Sequence, residues 1–120
     1  MKIILLLSFL LLAFFTKAQI NNLPSGRYET AVKDKNVKWD KGDILIIDDS
    51  HYKITTNNET GEYKFSATAQ RIFFTSGPLK SFFAKTTLNG GKPAIIIPAS
   101  ENEQLGLKIA SADVWGYYRN

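Results

Sequence analysis

The alternation of apolar and polar positions is clearest between Tyr52 and Phe74. Tyr52 and Ile54 alternate with Lys53 and Thr55. Tyr63 and Phe65 alternate with Glu62, Lys64 and Ser66, and Ile72 and Phe74 flank Phe73. A period of two with one wet face predicts strands half-buried against a core. Asn57 to Gly61 reads as a hairpin loop, with Gly61 available for positive φ. Ser66 to Gln70 is a short polar connection, and Ser76-Gly77-Pro78 is a turn that ends the third run. The three runs predict a meander in which Tyr52, Ile54, Tyr63, Phe65, Ile72 and Phe74 share one inward face.

The same pattern extends outward from this centre. Gln19 to Ser25 is a polar leader, expected to be poorly ordered. Gly26 to Val32 reads as a first strand with Tyr28, Thr30 and Val32 on one side. Lys33 to Gly42 is a loop of mixed charge with Trp39 embedded, a residue expected to cap one end of a core or to mark a binding rim. Asp43 to Ile47 is a further strand, and Asp48-Asp49-Ser50 is a tight turn. Phe82-Phe83-Ala84 begins another strand, which ends at Asn89-Gly90-Gly91. Ala94 to Ile97 is a short strand bracketed by Pro93 and Pro98, which are expected to stop its ladder. Leu105, Leu107 and Ile109 alternate, although Glu101 to Ala112 also reads as a weak helix. Val114 to Tyr118 is placed to close the sheet against the first strand. The expectation is an all-β fold, a small antiparallel barrel or sandwich of about eight strands.

Four of these strands are apolar on both sides: Asp43 to Ile47, Ile72 to Phe74, Phe82-Phe83 and Ile95 to Ile97. Such strands are covered twice, by a second layer of the fold or by a second copy of the chain in a homodimer. Sheets that cover one another are expected ahead of the homodimer.

The N-terminus changes how composition is read. Met1-Lys2, an apolar run from Ile3 to Phe15, and Thr16-Lys17-Ala18 follow the order of a secretory signal, with cleavage expected before Gln19. The run is short against the ~20 residues of a spanning helix, so no membrane span is expected in the mature form. Residues 1–18 are therefore read as signal peptide and 19–120 as one domain, exported to the periplasm or the extracellular space. Lys2 and Lys17 leave with the signal, so the formal charge falls from +4 to +2. Basic and acidic residues interleave, which argues against nucleic acid as partner. The chain has no cysteine, so packing and the backbone ladder carry its stability.

Candidate chemistry is sparse. Asp48, Asp49, Ser50 and the single histidine, His51, are adjacent, but triad members converge from separate elements, and neighbours in a turn are expected to point apart. One histidine and no cysteine cannot build a zinc site. Calcium through Asp34, Asn36 and Asp40, or through Asp48 and Asp49, lacks the EF-hand pattern. Glu29 and Glu62 stand on wet faces, not paired in a cleft as glycoside hydrolysis requires. Asn89-Gly90-Gly91-Lys92 is no phosphate loop, and Asn58-Glu59-Thr60, a glycosylation acceptor in form, reads as a turn. No catalytic residue, metal or cofactor is expected.

Ser25-Gly26-Arg27-Tyr28 and Thr60-Gly61-Glu62-Tyr63 share Ser/Thr-Gly-x-Tyr, in which glycine permits a bend and the tyrosine packs inward with its hydroxyl near the rim. With the run Arg71 to Leu79, these motifs make most of residues 25 to 118 similar to small secreted all-β proteins of unassigned function. More loosely, the chain resembles lipocalin-like (calycin) barrels. The resemblance implies a binding or structural role without catalytic residues. The function expected is non-enzymatic binding of an apolar small molecule or a glycan at an aromatic mouth, with Tyr28, Trp39, Tyr63 and Trp115 as candidate ligand-binding residues. The alternative is a structural or interaction protein that acts through an apolar sheet face, meeting itself or an envelope partner.

Overall fold

The computed structural model describes residues 19–32, 37–101 and 112–119. The strands are β1 (Gly26–Val32), β2 (Ile44–Ile46), β3 (His51–Ile54), β4 (Thr60–Ser66), β5 (Arg71–Phe74), β6 (Phe83–Asn89), β7 (Lys92–Ile97) and β8 (Val114–Tyr118). Each pairs antiparallel with its sequence neighbour, and β8 returns to β1 with Tyr28 opposite Tyr118 and Val32 opposite Val114. The sheet is thus a closed barrel, not a sandwich. The residues read as signal peptide and the alternating run Leu105 to Ile109 lie outside the described residues.

Closure follows from the period-two pattern. Tyr28, Thr30 and Val32 of β1 are buried, as are Ile44 and Ile46, Tyr52 and Ile54, Tyr63, Ile72 and Phe74, and Ile95 and Ile97. The six inward residues expected of the central meander do share one face, Phe65 being only partly covered. Eight strands enclose a space that side chains just fill. Here Tyr28, Tyr52 and a set of branched aliphatics fill it, each under 2% exposed. Gly116 is buried on β8 across from Thr30, and a Cβ there would stand 3.3 Å from that of Tyr28.

Two local expectations are corrected. Positive φ in the β3–β4 hairpin falls to Asn58 (φ 59), while Gly61 belongs to β4. Gly61 is needed for close approach instead: a Cβ there would collide with the Ser76 carbonyl oxygen and come within 2.9 Å of the Gly77 Cα. Pro93 does not stop its strand. It lies inside β7 opposite Leu88, where β8, whose pairing with β7 begins at Ala94, no longer flanks it. A proline without an N–H is tolerated at such an edge.

Because the strands run alternately up and down, the connections gather at two ends. One end holds the leader 19–25 and the turns after β2, β4 and β6. The other holds the connections after β1, β3, β5 and β7. At the second end Trp39 and Leu79 are buried in the core. Asp43, just before β2, completes the ladder there with its side chain. Its carboxylate accepts the Thr30 N–H at 3.1 Å and the Arg27 Nε–H at 2.8 Å, while its own N–H donates to Thr55 Oγ1 at 2.9 Å. Burial works to raise the Asp43 pKa, but the Thr30 and Arg27 hydrogen bonds and the charges of Lys38 and Arg27 outweigh it and hold the carboxyl below its ordinary value.

Candidate functional site

The leader is not a loose tail but a strap across the first barrel end. Its apolar residues, Ile20 and Leu23, are buried in the core cluster. Gln70, at the end of the β4–β5 turn with φ 52, clasps the strap backbone in both directions: Ile20 N–H donates to Gln70 Oε1 at 3.1 Å, and Gln70 Nε2 donates to the Ile20 carbonyl at 2.8 Å. Thr86 of β6 anchors the same amide through its hydroxyl at 3.1 Å. Two barrel tyrosines pin the strap's other end, with Tyr28 Oη donating to the Pro24 carbonyl and Tyr118 Oη to the Ser25 carbonyl, both at 2.8 Å. Apart from Tyr28, these partners lie far along the chain, where local polarity does not show them.

Beside the strap opens a cleft of about 220 Å³, lined by Asn21, Asn22, Leu23, Asp49, Tyr63, Phe65 and Ala67. β4 supplies its aromatic wall, because Tyr63 and Phe65 are successive inward residues approaching this end. The β2–β3 turn supplies Asp49, and the strap supplies the two amides Asn21 and Asn22. Tyr63 Oη is committed, donating to the Asp48 carbonyl at 2.6 Å. Burial, then the charges of Asp49 and Asp48, push its pKa up to about 12, so it stays a neutral donor. The side chains of Asn21, Asn22 and Asp49 make no hydrogen bond to another described residue. The cleft therefore offers an apolar ring surface, two free amides and one free carboxylate.

The turn that carries Asp49 brings Asp48, Ser50 and His51 into contact, against the expectation that they point apart. His51 Nδ1 lies 2.8 Å from Asp48 Oδ1, and Ser50 Oγ lies 3.1 Å from the same Nδ1. A relay needs acid and nucleophile on opposite ring nitrogens; here both share one. Asp48 also accepts the Ser50 and His51 N–H groups, each at 2.9 Å. The Ser50 N–H bond, then the contact with His51, holds its pKa below the ordinary value. The group closes a turn.

Of the four residues expected at a binding mouth, the structure brings two together. Tyr28 and Tyr63 lie near one another beneath the strap, but only Tyr63 lines the cleft. Trp39 is buried at the opposite end as a core cap. Trp115 is on the outer wall, its ring stacked 6.0 Å from that of Tyr117. The sequence pattern gives no sign of Asn21 or Asn22 as binding residues, points to Asp49 only as a turn or calcium candidate, and places Phe65 in the core; all four line the cleft. The one available signal was a pair of amides directly before a leucine in an otherwise featureless polar leader.

Glu29 and Glu62 stand on the outer wall, Glu29 within 3.5 Å of Arg27 and 3.7 Å of Arg119. Among the described residues no three His, Cys, Asp or Glu side chains gather to hold a metal. Asp34 and Asn36 lie outside them. No helix among the described residues is long and apolar enough to cross a membrane. The fold and site define a closed, up-and-down eight-stranded barrel with one strapped end. Comparison with family models, curated proteins and solved structures finds no match to this chain.

Proposed function

We propose that the protein is an exported, non-enzymatic binding module that takes one ring of a hydroxylated ligand, such as the terminal sugar of a glycan, into the strap-side cleft. The observation that carries this is that Phe65 and Tyr63 line one cleft together with Asn21, Asn22 and Asp49, whose side chains make no hydrogen bond to another described residue. A sugar ring has a C–H face that packs on an aromatic ring and a rim of hydroxyls. Amides answer those hydroxyls in both directions, and a carboxylate accepts from two of them. The volume, below the about 300–1,000 Å³ of pockets for larger ligands, suits one ring or a chain end. The filled barrel interior favours the mouth over an apolar ligand held inside.

The test is a two-dimensional ¹H–¹⁵N NMR titration with glucose, N-acetylglucosamine and their β-linked disaccharides. Saturable shifts at Asn21, Asn22, Asp49 and Phe65 are expected, abolished in Phe65→Ala. No saturable shift at the strap with any of these sugars would remove the reading.

A further inference from the structure

We propose that the outer wall of β4, β5 and β6 is a docking surface for an anionic lipid interface. It is separate from the cleft at the mouth and does not rest on the reading given for that cleft. The strand register sets outward residues in rows. Lys64, Phe73 and Phe83 stand side by side in one row, and Ser66, Arg71 and Lys85 in the next. Phe73 is 45% exposed, the one aromatic among the large exposed hydrophobics of the described residues. The Arg71 guanidinium lies over Phe83, 5.6 Å from the ring centroid. Lys64 and Lys85 are exposed, and none of these three cations forms an ion pair with a described residue. Glu62 is the next outward residue of β4, one row beyond Lys64 and Phe73.

Three cations around an exposed ring, none in an ion pair with a described residue, select the occupant by charge. A second copy meeting this face about a two-fold axis would bring Lys64, Arg71 and Lys85 against their own counterparts. An anionic partner is favoured instead. Shape separates the anionic candidates. A single-stranded nucleic acid needs a groove that tracks its backbone and successive stacking platforms, whereas this wall is the convex outside of a barrel with one projecting ring. A bilayer surface needs no groove. The Phe73 ring enters the headgroup boundary while Lys64 and Lys85, on flexible stems, reach lipid phosphates to either side.

Co-sedimentation with phosphatidylcholine vesicles, with and without phosphatidylglycerol, tests this directly. Binding is expected only with phosphatidylglycerol present, and is expected to fall as salt rises. Lys64→Ala and Lys85→Ala each weaken it about fivefold, and Phe73→Ser about tenfold. Lys53→Ala, the same charge change on β3, leaves it within about twofold. All four side chains point outward, so unchanged melting by circular dichroism confirms the fold of each variant. The Lys64→Ala/Lys85→Ala pair stands as a test even if Phe73→Ser misfolds. Equal binding to both vesicle types, indifference to these substitutions, or tighter retention by oligo-deoxythymidine than by vesicles would each overturn the proposal.

Discussion

At the scale of single residues, the barrel is held shut by tyrosine hydroxyls. Tyr28 and Tyr118 fasten the strap, Tyr63 fastens the β2–β3 turn, and Tyr52 fastens the β5–β6 connection. Each ring fills interior space while its oxygen reaches a backbone carbonyl at the rim. Tyr52 does most, donating to the Ser76 carbonyl at 2.8 Å and accepting the Leu79 N–H at 2.9 Å. Tyr52→Phe keeps the packing and leaves a buried donor and an acceptor unpaired, a cost of about 1–3 kcal/mol. Tyr118→Phe, whose hydroxyl bond is exposed, should cost under about 1 kcal/mol. Urea denaturation of the two variants checks the order, and equal losses would contradict it. The inward tyrosine with its hydroxyl at the rim was legible in Gly-x-Tyr, since glycine at a strand entrance and alternation are both local. The job of Asp43 was not, because its partners Thr30 and Arg27 come from another strand.

At the scale of elements, the central meander is where alternation and structure agree most closely. β4 and β5 pair with Tyr63 opposite Phe74 and Phe65 opposite Ile72, so the apolar residues of both strands reach the same side. Phe74 is 2% exposed, with its ring edge-on to Tyr52 at 4.8 Å. Phe74→Ala therefore leaves a cavity in a filled core and should cost roughly 3–5 kcal/mol, a large part of a total stability of about 5–15 kcal/mol. Glu62→Ala, exposed on the neighbouring strand β4, should stay within about 0.5 kcal/mol. Chemical denaturation of both compares the inner and outer faces of the β4–β5 pair, and similar small losses would refute the filled core. The strap shows where this kind of legibility ends. Its sequence is polar with scattered apolar residues, and what orders it is Gln70, 50 residues further on. The cleft was hidden for the same reason, being built half from the strap and half from a turn and a strand that local pattern cannot bring beside it.

At the scale of the whole molecule, a barrel without disulfides depends on the protonation of the groups that seal its two ends. Burial is the largest cause that raises Tyr52 and Tyr63 to about 12, and burial with the neighbouring Tyr118 and Tyr63 carries Tyr28 higher still. A folded-state pKa above the unfolded one means that the native chain keeps protons that the unfolded chain releases. Stability from these groups is therefore complete below the ordinary value of 10.0 and is lost as pH rises from there through about 12. Asp43 acts in the opposite sense. Its carboxyl is held below the ordinary value of 3.8, so its contribution is present above that value and is lost as pH falls through the depressed one. The expected profile of urea midpoint against pH is a plateau with two falling limbs, the acid limb reduced in Asp43→Asn and the alkaline limb reduced in Tyr52→Phe. Tyrosinate absorbance should grow together with loss of the β-sheet circular dichroism signal, because the interior tyrosines ionise when the ends open. Ionisation of all the tyrosines near 10.0 with the sheet signal intact would mean that their hydroxyls do not seal the barrel.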